Sequence, residues 1–222
     1  MAEKEKNENL DKEAEIGKLP KQLEMTILPL HNTTLFPQTV VPLAVGRERS
    51  VKAVEHSLTS EEKTIGCLTV KTKDVKGSSA SPGDMFEIGT IVNIKRMMRA
   101  EDVVQLVVQG IDRFRVLKWI QEEPFLKAQI EILPELAIVN NEEVEALKRA
   151  IKGLIQEALA MLPQVPPEVR MAVSSQDDPV QLTYFLASVL DLGEENEQNM
   201  LEAESIDDLL TISHAALAKE VE

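Results

Sequence analysis

The side chains that could carry chemistry are few, and their spacing is wrong for most of it. The single cysteine, Cys67, sits inside the apolar run Thr64 to Val70, where a buried thiol with no cation beside it stays inert. Between Gly77 and Gly83 the chain is glycine-bearing, but Gly83 is followed by Asp84. The Gly-Lys-Ser/Thr ending that puts a lysine on phosphates is missing, so the segment reads as a plain loop. Ser213 and His214 are neighbours in a helical pattern, which turns them in different directions, and no orienting acid or oxyanion loop accompanies them. The pairs Asp177/Asp178 and Asp207/Asp208 stand at helix starts, where carboxylates cap N–H groups and suit the macrodipole. His31, His56 and His214 lie far apart, without HExxH or paired-cysteine spacing, so no metal ligands are legible. The residues predict a chain with no catalytic site, no metal and no cofactor of its own.

Charge and composition narrow the partners. Twenty-four Lys and Arg against 38 Asp and Glu leave a formal charge of −14, a field that opposes nonspecific binding to nucleic acid and to anionic membrane. Aromatic residues make up only 3%, which leaves few rings for stacking bases. One cysteine permits no intramolecular disulfide and fits a reducing compartment. No run approaches the roughly 18 apolar residues of a spanning helix, and the charged start MAEKEKNENLDKEAEIGKLPKQ has no signal-peptide core. The expected location is cytoplasmic, with residues 1–22 a disordered charged tail.

What remains is apolar surface. Leu35-Phe36-Pro37 in a loop and Met97-Met98 at a strand end place large side chains beside turns. Methionine adapts its shape to different partners, so these five residues are candidates for a loosely selective binding surface. The bland alternative, that they plug the end of a small sheet domain, is favoured by residue statistics, because only a contiguous patch signals binding.

The elements that position them change character along the chain. MTILPL and VVPLAV read as strands, with Pro29 and Pro42 restricted to edges or ends because they lack an N–H. Val51, Val54 and Leu58 form a helical stripe, with Ser50 as its expected N-cap. Thr64 to Val70 is a further strand, followed by a Gly-, Ser- and Pro-containing loop, Lys71 to Asp84. GTIVNIKRMM and VVQLVVQG form a hairpin around Arg99 to Asp102, and FLKAQIEIL alternates cleanly between apolar and polar residues. Several short strands with one helix predict a small twisted barrel or sandwich over 23–134.

Past Pro134 the period becomes helical, and two independently packed modules are expected to meet near Pro134 to Asn141. Val144, Leu147, Ile151, Leu154, Ile155, Ala158 and Leu162 stripe one long helix, and PPEVRMAV opens a short one. Asp178-Pro179 caps another, which is expected to end at Gly193. Ser205 and Asp208 form a capping box for the last. The region 142–222 is therefore a helical bundle. Its apolar stripe runs to Val221 without a stop signal, so the last helix is expected to continue in a longer parent chain.

The run Leu28-Pro29-Leu30, Leu35-Phe36-Pro37, Val41-Pro42-Leu43 and Val45-Gly46-Arg47 resembles the opening of the amino-terminal domain of the ATP-dependent Lon protease family. Glu87-Ile88-Gly89-Thr90 and Gly110 to Phe114 look like later markers of it, and the helical half is similar through Pro166-Pro167-Glu168-Val169 and Asp177-Asp178-Pro179. The resemblance implies an α+β chain, a PUA-like small β-barrel with one inserted helix followed by an α-helical bundle. It implies a noncatalytic region that binds unfolded or damaged protein substrates and supports a Lon hexamer. ATP, Mg and the Ser-Lys chemistry would belong to modules of the parent protein beyond this segment. The loop Lys71 to Asp84 departs from the pattern. Two other readings remain: a free-standing protein of the same shape, and a PUA-like RNA-binding module using Lys95, Arg96 and Arg99, which the −14 charge disfavours.

Overall fold

The computed structural model describes residues 22–71, 80–100, 103–137, 141–161, 171, 176–190 and 192–221. The expected tail, most of the Lys71 to Asp84 loop and most of the short helix at PPEVRMAV lie outside the described residues.

Six strands come first: β1 (Gln22–Leu30), β2 (Val40–Val45), β3 (Thr64–Thr69), β4 (Ile88–Ala100), β5 (Val103–Gln121) and β6 (Leu126–Ile132), with helix α1 (Glu48–Leu58) between β2 and β3. Four helices follow: α2 (Glu142–Met161), α3 (Pro179–Val189), α4 (Glu194–Glu202) and α5 (Ile206–Val221). The strands form one mixed sheet in the order β2-β5-β4-β3-β1-β6, in which β1 and β3 are parallel and every other pair is antiparallel. Long β5 pairs with β2 and β4 along its first part and reaches β6 through Phe114 to Gln121. The chain is thus α+β, with the strands preceding the bundle as expected.

The prolines fall where a missing donor costs nothing. Pro42 lies in the edge strand β2, and Pro29 lies beyond Ile27, where the β1–β6 pairing stops. In β6, Leu126, Ala128 and Ile130 are buried while Lys127, Gln129 and Glu131 are half-buried, so the alternation read from FLKAQIEIL sets its faces. Asp178 accepts hydrogen bonds from the N–H groups of Val180 and Gln181 at the start of α3, and Ser205 and Asp208 exchange hydrogen bonds at the start of α5.

Two expectations are corrected. Helix α1 starts at Glu48 after Arg47, which leaves Ser50 buried in its first turn rather than capping it. Gly193 does not end α3, which stops at Val189; it precedes the additional helix α4, with φ of +86°, a conformation available to glycine at little cost. Where the two halves meet, Phe36 and Ile88 of the sheet half belong to the same buried cluster as Ile151, Met200 and Leu209 of the bundle.

Candidate functional site

The loop between β1 and β2 is locked inward. Thr90 Oγ1 donates to the Leu35 carbonyl at 2.5 Å, Thr39 Oγ1 donates to that of Phe36 at 2.7 Å, and the Gln38 N–H donates to the Gly110 carbonyl at 3.0 Å. A Cβ at Gly110 would stand 2.1 Å from the Phe36 carbonyl oxygen, so only glycine lets the two backbones approach this closely. Leu35 and Phe36 are buried as a result, and the Phe36 ring stacks on Tyr184 of α3 with centroids 5.1 Å apart. Pro37 is half-buried. The sequence offered Leu35 and Phe36 as surface candidates beside Met97 and Met98, with a plug as the favoured alternative; the structure buries both, Leu35 in the core of the sheet half and Phe36 at the joint between sheet and bundle. The physical reason is that a ring flanked by Thr and Gly hydrogen-bonding partners is anchored from both sides, and those partners are remote in sequence.

Met97 and Met98 lie on the β4–β5 hairpin, at 39% and 45% exposure. Lys95 to Ala100 are all exposed, so this end of the hairpin projects past the core. A register shift between Ile94 and Arg96 inserts one residue, which resets the alternation as a bulge does. Met97 then pairs with buried Leu106, and Met98 with exposed Gln105. Successive strand residues point to opposite faces, so the two methionines cannot share one patch.

The register instead assembles a different outer face. Met98 and Ala100 of β4, Val103 and Val107 of β5, and Val40, Pro42 and Ala44 of β2 fall on one side of three adjacent strands, together with Arg96 of β4 and Gln105 and Gln109 of β5. Val40 is 62% exposed and Val103 37%, and Pro42, Ala44 and Ala100 are exposed as well. The inward set Val41, Leu43, Val45, Val104 and Leu106 belongs to a core cluster. A signal for the outer face was present in VVPLAV, whose even-numbered residues are all apolar although the strand has a wet side. It becomes decisive only when pairing places Met98 and Val103 beside it. Arg96 stands on this face opposite Val107, Lys95 is the inserted residue, and Arg99 turns to the other side and donates to Glu55 of α1.

The remaining candidates for chemistry are committed elsewhere. Cys67 is buried, and desolvation pushes its thiol far above the usual range. Ser213 donates to the Leu209 carbonyl at 2.5 Å, and Asp177 meets Lys152 at 3.3 Å.

The halves are joined by buried polar contacts. Arg113 donates from Nη1 to the carbonyls of Leu201 and Ala203 at 2.9 and 2.6 Å and from Nη2 to that of Pro134 at 3.2 Å. A cation at the C-terminal end of α4 is favoured by the helix dipole. Gln198 of the same helix donates to the Ile88 carbonyl at 3.0 Å.

Comparison with known proteins follows the same outline. A family model described as the ATP-dependent protease La (LON) substrate-binding domain matches residues 24–219. The chain is 37% identical over 196 residues to the Lon protease of Nitrosococcus oceani, covering 88% of this chain and 25% of that protein. It is 33% identical over 223 residues to the Lon protease of Dictyoglomus thermophilum, covering 100% of this chain and 26% of that one. The chain therefore spans about a quarter of the length of these curated relatives. The N-terminal domain of Mycobacterium avium complex Lon protease has the same fold, with a TM-score of 0.69 at 19% identity, covering 88% of this chain and 98% of that structure. A Lon N-terminal domain protein from Xanthomonas campestris aligns with a TM-score of 0.56 at 18% identity, covering 83% and 92%.

Proposed function

The chain belongs to the substrate-binding domain family of the ATP-dependent protease Lon, and from that premise we propose that it holds unfolded or damaged protein segments on the outer face of β2, β5 and β4. It does so without catalysis, as the recognition and assembly region of a cytoplasmic Lon hexamer whose ATPase and protease modules use ATP and Mg. The sheet is read as a small PUA-like barrel, a reading supported by β5 pairing with both β4 and β6.

The observation that carries the proposal is the outer face of these three strands, where Met98, Val103, Pro42 and Val40 stand exposed among Gln105, Gln109 and Arg96. Exposed apolar surface gathered in one place, unlike single scattered residues, is what a binding site requires. Covering a few such side chains yields gross stabilisation of about 1.5–3 kcal/mol each, most of it offset by the entropy of association. Client binding should therefore be modest and, being apolar, little affected by salt. The inward registry of Met97 gives an internal control. Met98→Ser and Val103→Ser together should weaken binding of a denatured model protein severalfold, Met97→Ser should do so less, and melting temperatures should stay within a few degrees, as exposed positions contribute about 0.5 kcal/mol or less. Unchanged binding by the folded double variant would place recognition elsewhere.

A further inference from the structure

At the seam between the halves lies a cavity of about 400 Å³. Its wall is built by Ile111 and Arg113 of β5, Leu133 and Leu136 after β6, and Val180 and Tyr184 of α3, a size and setting typical of ligand sites between packed units. A smaller recess of about 120 Å³ shares Pro37, Gln38 and Gln181 with it. Together they make a groove with one large and one small compartment, a shape suited to an extended chain rather than a compact ligand.

Two buried donors at this wall are incompletely used. Arg113 is 8% exposed, and its three hydrogen bonds among the described residues all go to backbone carbonyls, leaving two of a guanidinium's five N–H groups unmatched among those residues. Tyr184 is 4% exposed and its hydroxyl has no hydrogen-bond partner among the described residues. Burial raises its pKa, which keeps it a protonated donor. A buried donor left unmatched is costly, so an acceptor oxygen that reaches the Tyr184 hydroxyl, beside the Arg113 guanidinium, would relieve it. Gln38 adds a third sign: it lines both compartments with φ of +62°, a left-handed backbone uncommon outside glycine and associated with binding sites. Asp112, Glu135 and Asp178 stand around the large compartment and disfavour an acidic occupant.

We infer that this groove is a second protein-binding subsite, taking one large apolar side chain of an extended, non-acidic polypeptide and matching an oxygen of that segment to Arg113 and Tyr184. The inference rests on the reading that the chain binds unfolded protein. The oxygen can be supplied by a mid-chain carbonyl or by a terminal carboxylate.

The full chain contains a single tyrosine, so ring-labelled tyrosine gives one NMR signal located at the groove. The probes are eight-residue Gly/Ser/Gln peptides with one Phe, placed centrally, or last as a free acid, or last as an amide. The Tyr184 signal is expected to move saturably. Tighter binding of the free acid assigns the carboxylate, and equal binding of all three assigns the carbonyl. Tyr184→Phe removes a hydroxyl that has no partner in the free protein, so its melting temperature should hold or rise while peptide affinity falls about fivefold, the worth of one hydrogen bond. Ala137→Trp, made from an exposed position on the cavity wall, should fill the large compartment and weaken binding tenfold or more. A stationary Tyr184 signal at saturating peptide, or unchanged affinity in both variants, would overturn the inference. Peptides that bind and lose affinity only with Met98→Ser would leave the sheet-face reading standing and this one refuted. Absence of peptide binding together with absence of client binding would refute both.

Discussion

Met97 and Met98 are adjacent in the chain and opposite in space, and one inserted residue near Lys95 decides which of them meets solvent on the outer face. Arg47 and His31 show the same dependence on single contacts. An Arg47 guanidinium N–H donates to His31 Nε2, which requires the neutral ring. Partial burial first, and Arg47 second, hold the His31 pKa below its ordinary value of 6.5. Because the folded pKa is depressed, the contribution of neutral His31 to stability is fully present above that ordinary value and is lost as pH falls through the lower folded value. A histidine NMR titration should give a His31 midpoint below 6.5. Arg47→Gln should move it upward only in part, since desolvation remains. A midpoint at or above the ordinary value would show that this contact does not form in solution.

The elements are held in place by close backbone approaches more than by propensity. Gly110→Ala puts a methyl group 2.1 Å from the Phe36 carbonyl oxygen, so the β1–β2 loop must lift and loosen the Phe36–Tyr184 stack. Overpacking of this kind costs about 1–3 kcal/mol, and thermal unfolding should show it as a lower melting temperature. A melting temperature equal to wild type would mean that the loop is free to move. Much of the element map was legible in the sequence. VVPLAV and FLKAQIEIL carried their period of two, and Asp178-Pro179 and Ser205-Asp208 announced helix starts that the structure places at the same positions. The bulge in β4 was not legible, because a register shift leaves no mark on composition. Gly193 was misassigned because a glycine after an apolar run signals a helix end equally well when it actually precedes the next helix. Of the proposed site, Met98 was named from the sequence and its neighbours across the strands were not. Val40 and Val103 join it only through pairings across strands distant in sequence, whereas Phe36 was taken from the surface by Tyr184 and by Gly110, neither of which a local pattern can connect to it.

At the scale of the molecule, negative charge is concentrated in the bundle. From residue 171 to 218 the sequence has no Lys or Arg, while on the outer face of the sheet Arg96 stands opposite Val107. Among the described residues no helix is long and apolar enough to cross a membrane. The bundle packs against the sheet through Phe36, Arg113 and Gln198, and the chain belongs to the Lon substrate-binding domain family; the proposal adds a protein occupant on the sheet's outer face. The most direct test of this account is a methionine-methyl NMR titration of the full chain with a denatured, carboxymethylated protein. The account predicts that the Met98 methyl signal shifts or broadens first and saturably, Met97 responds less, and buried Met25, Met85 and Met200 stay where they are. A Met98 signal that is unmoved at saturating client, while binding is seen by another probe, would contradict it.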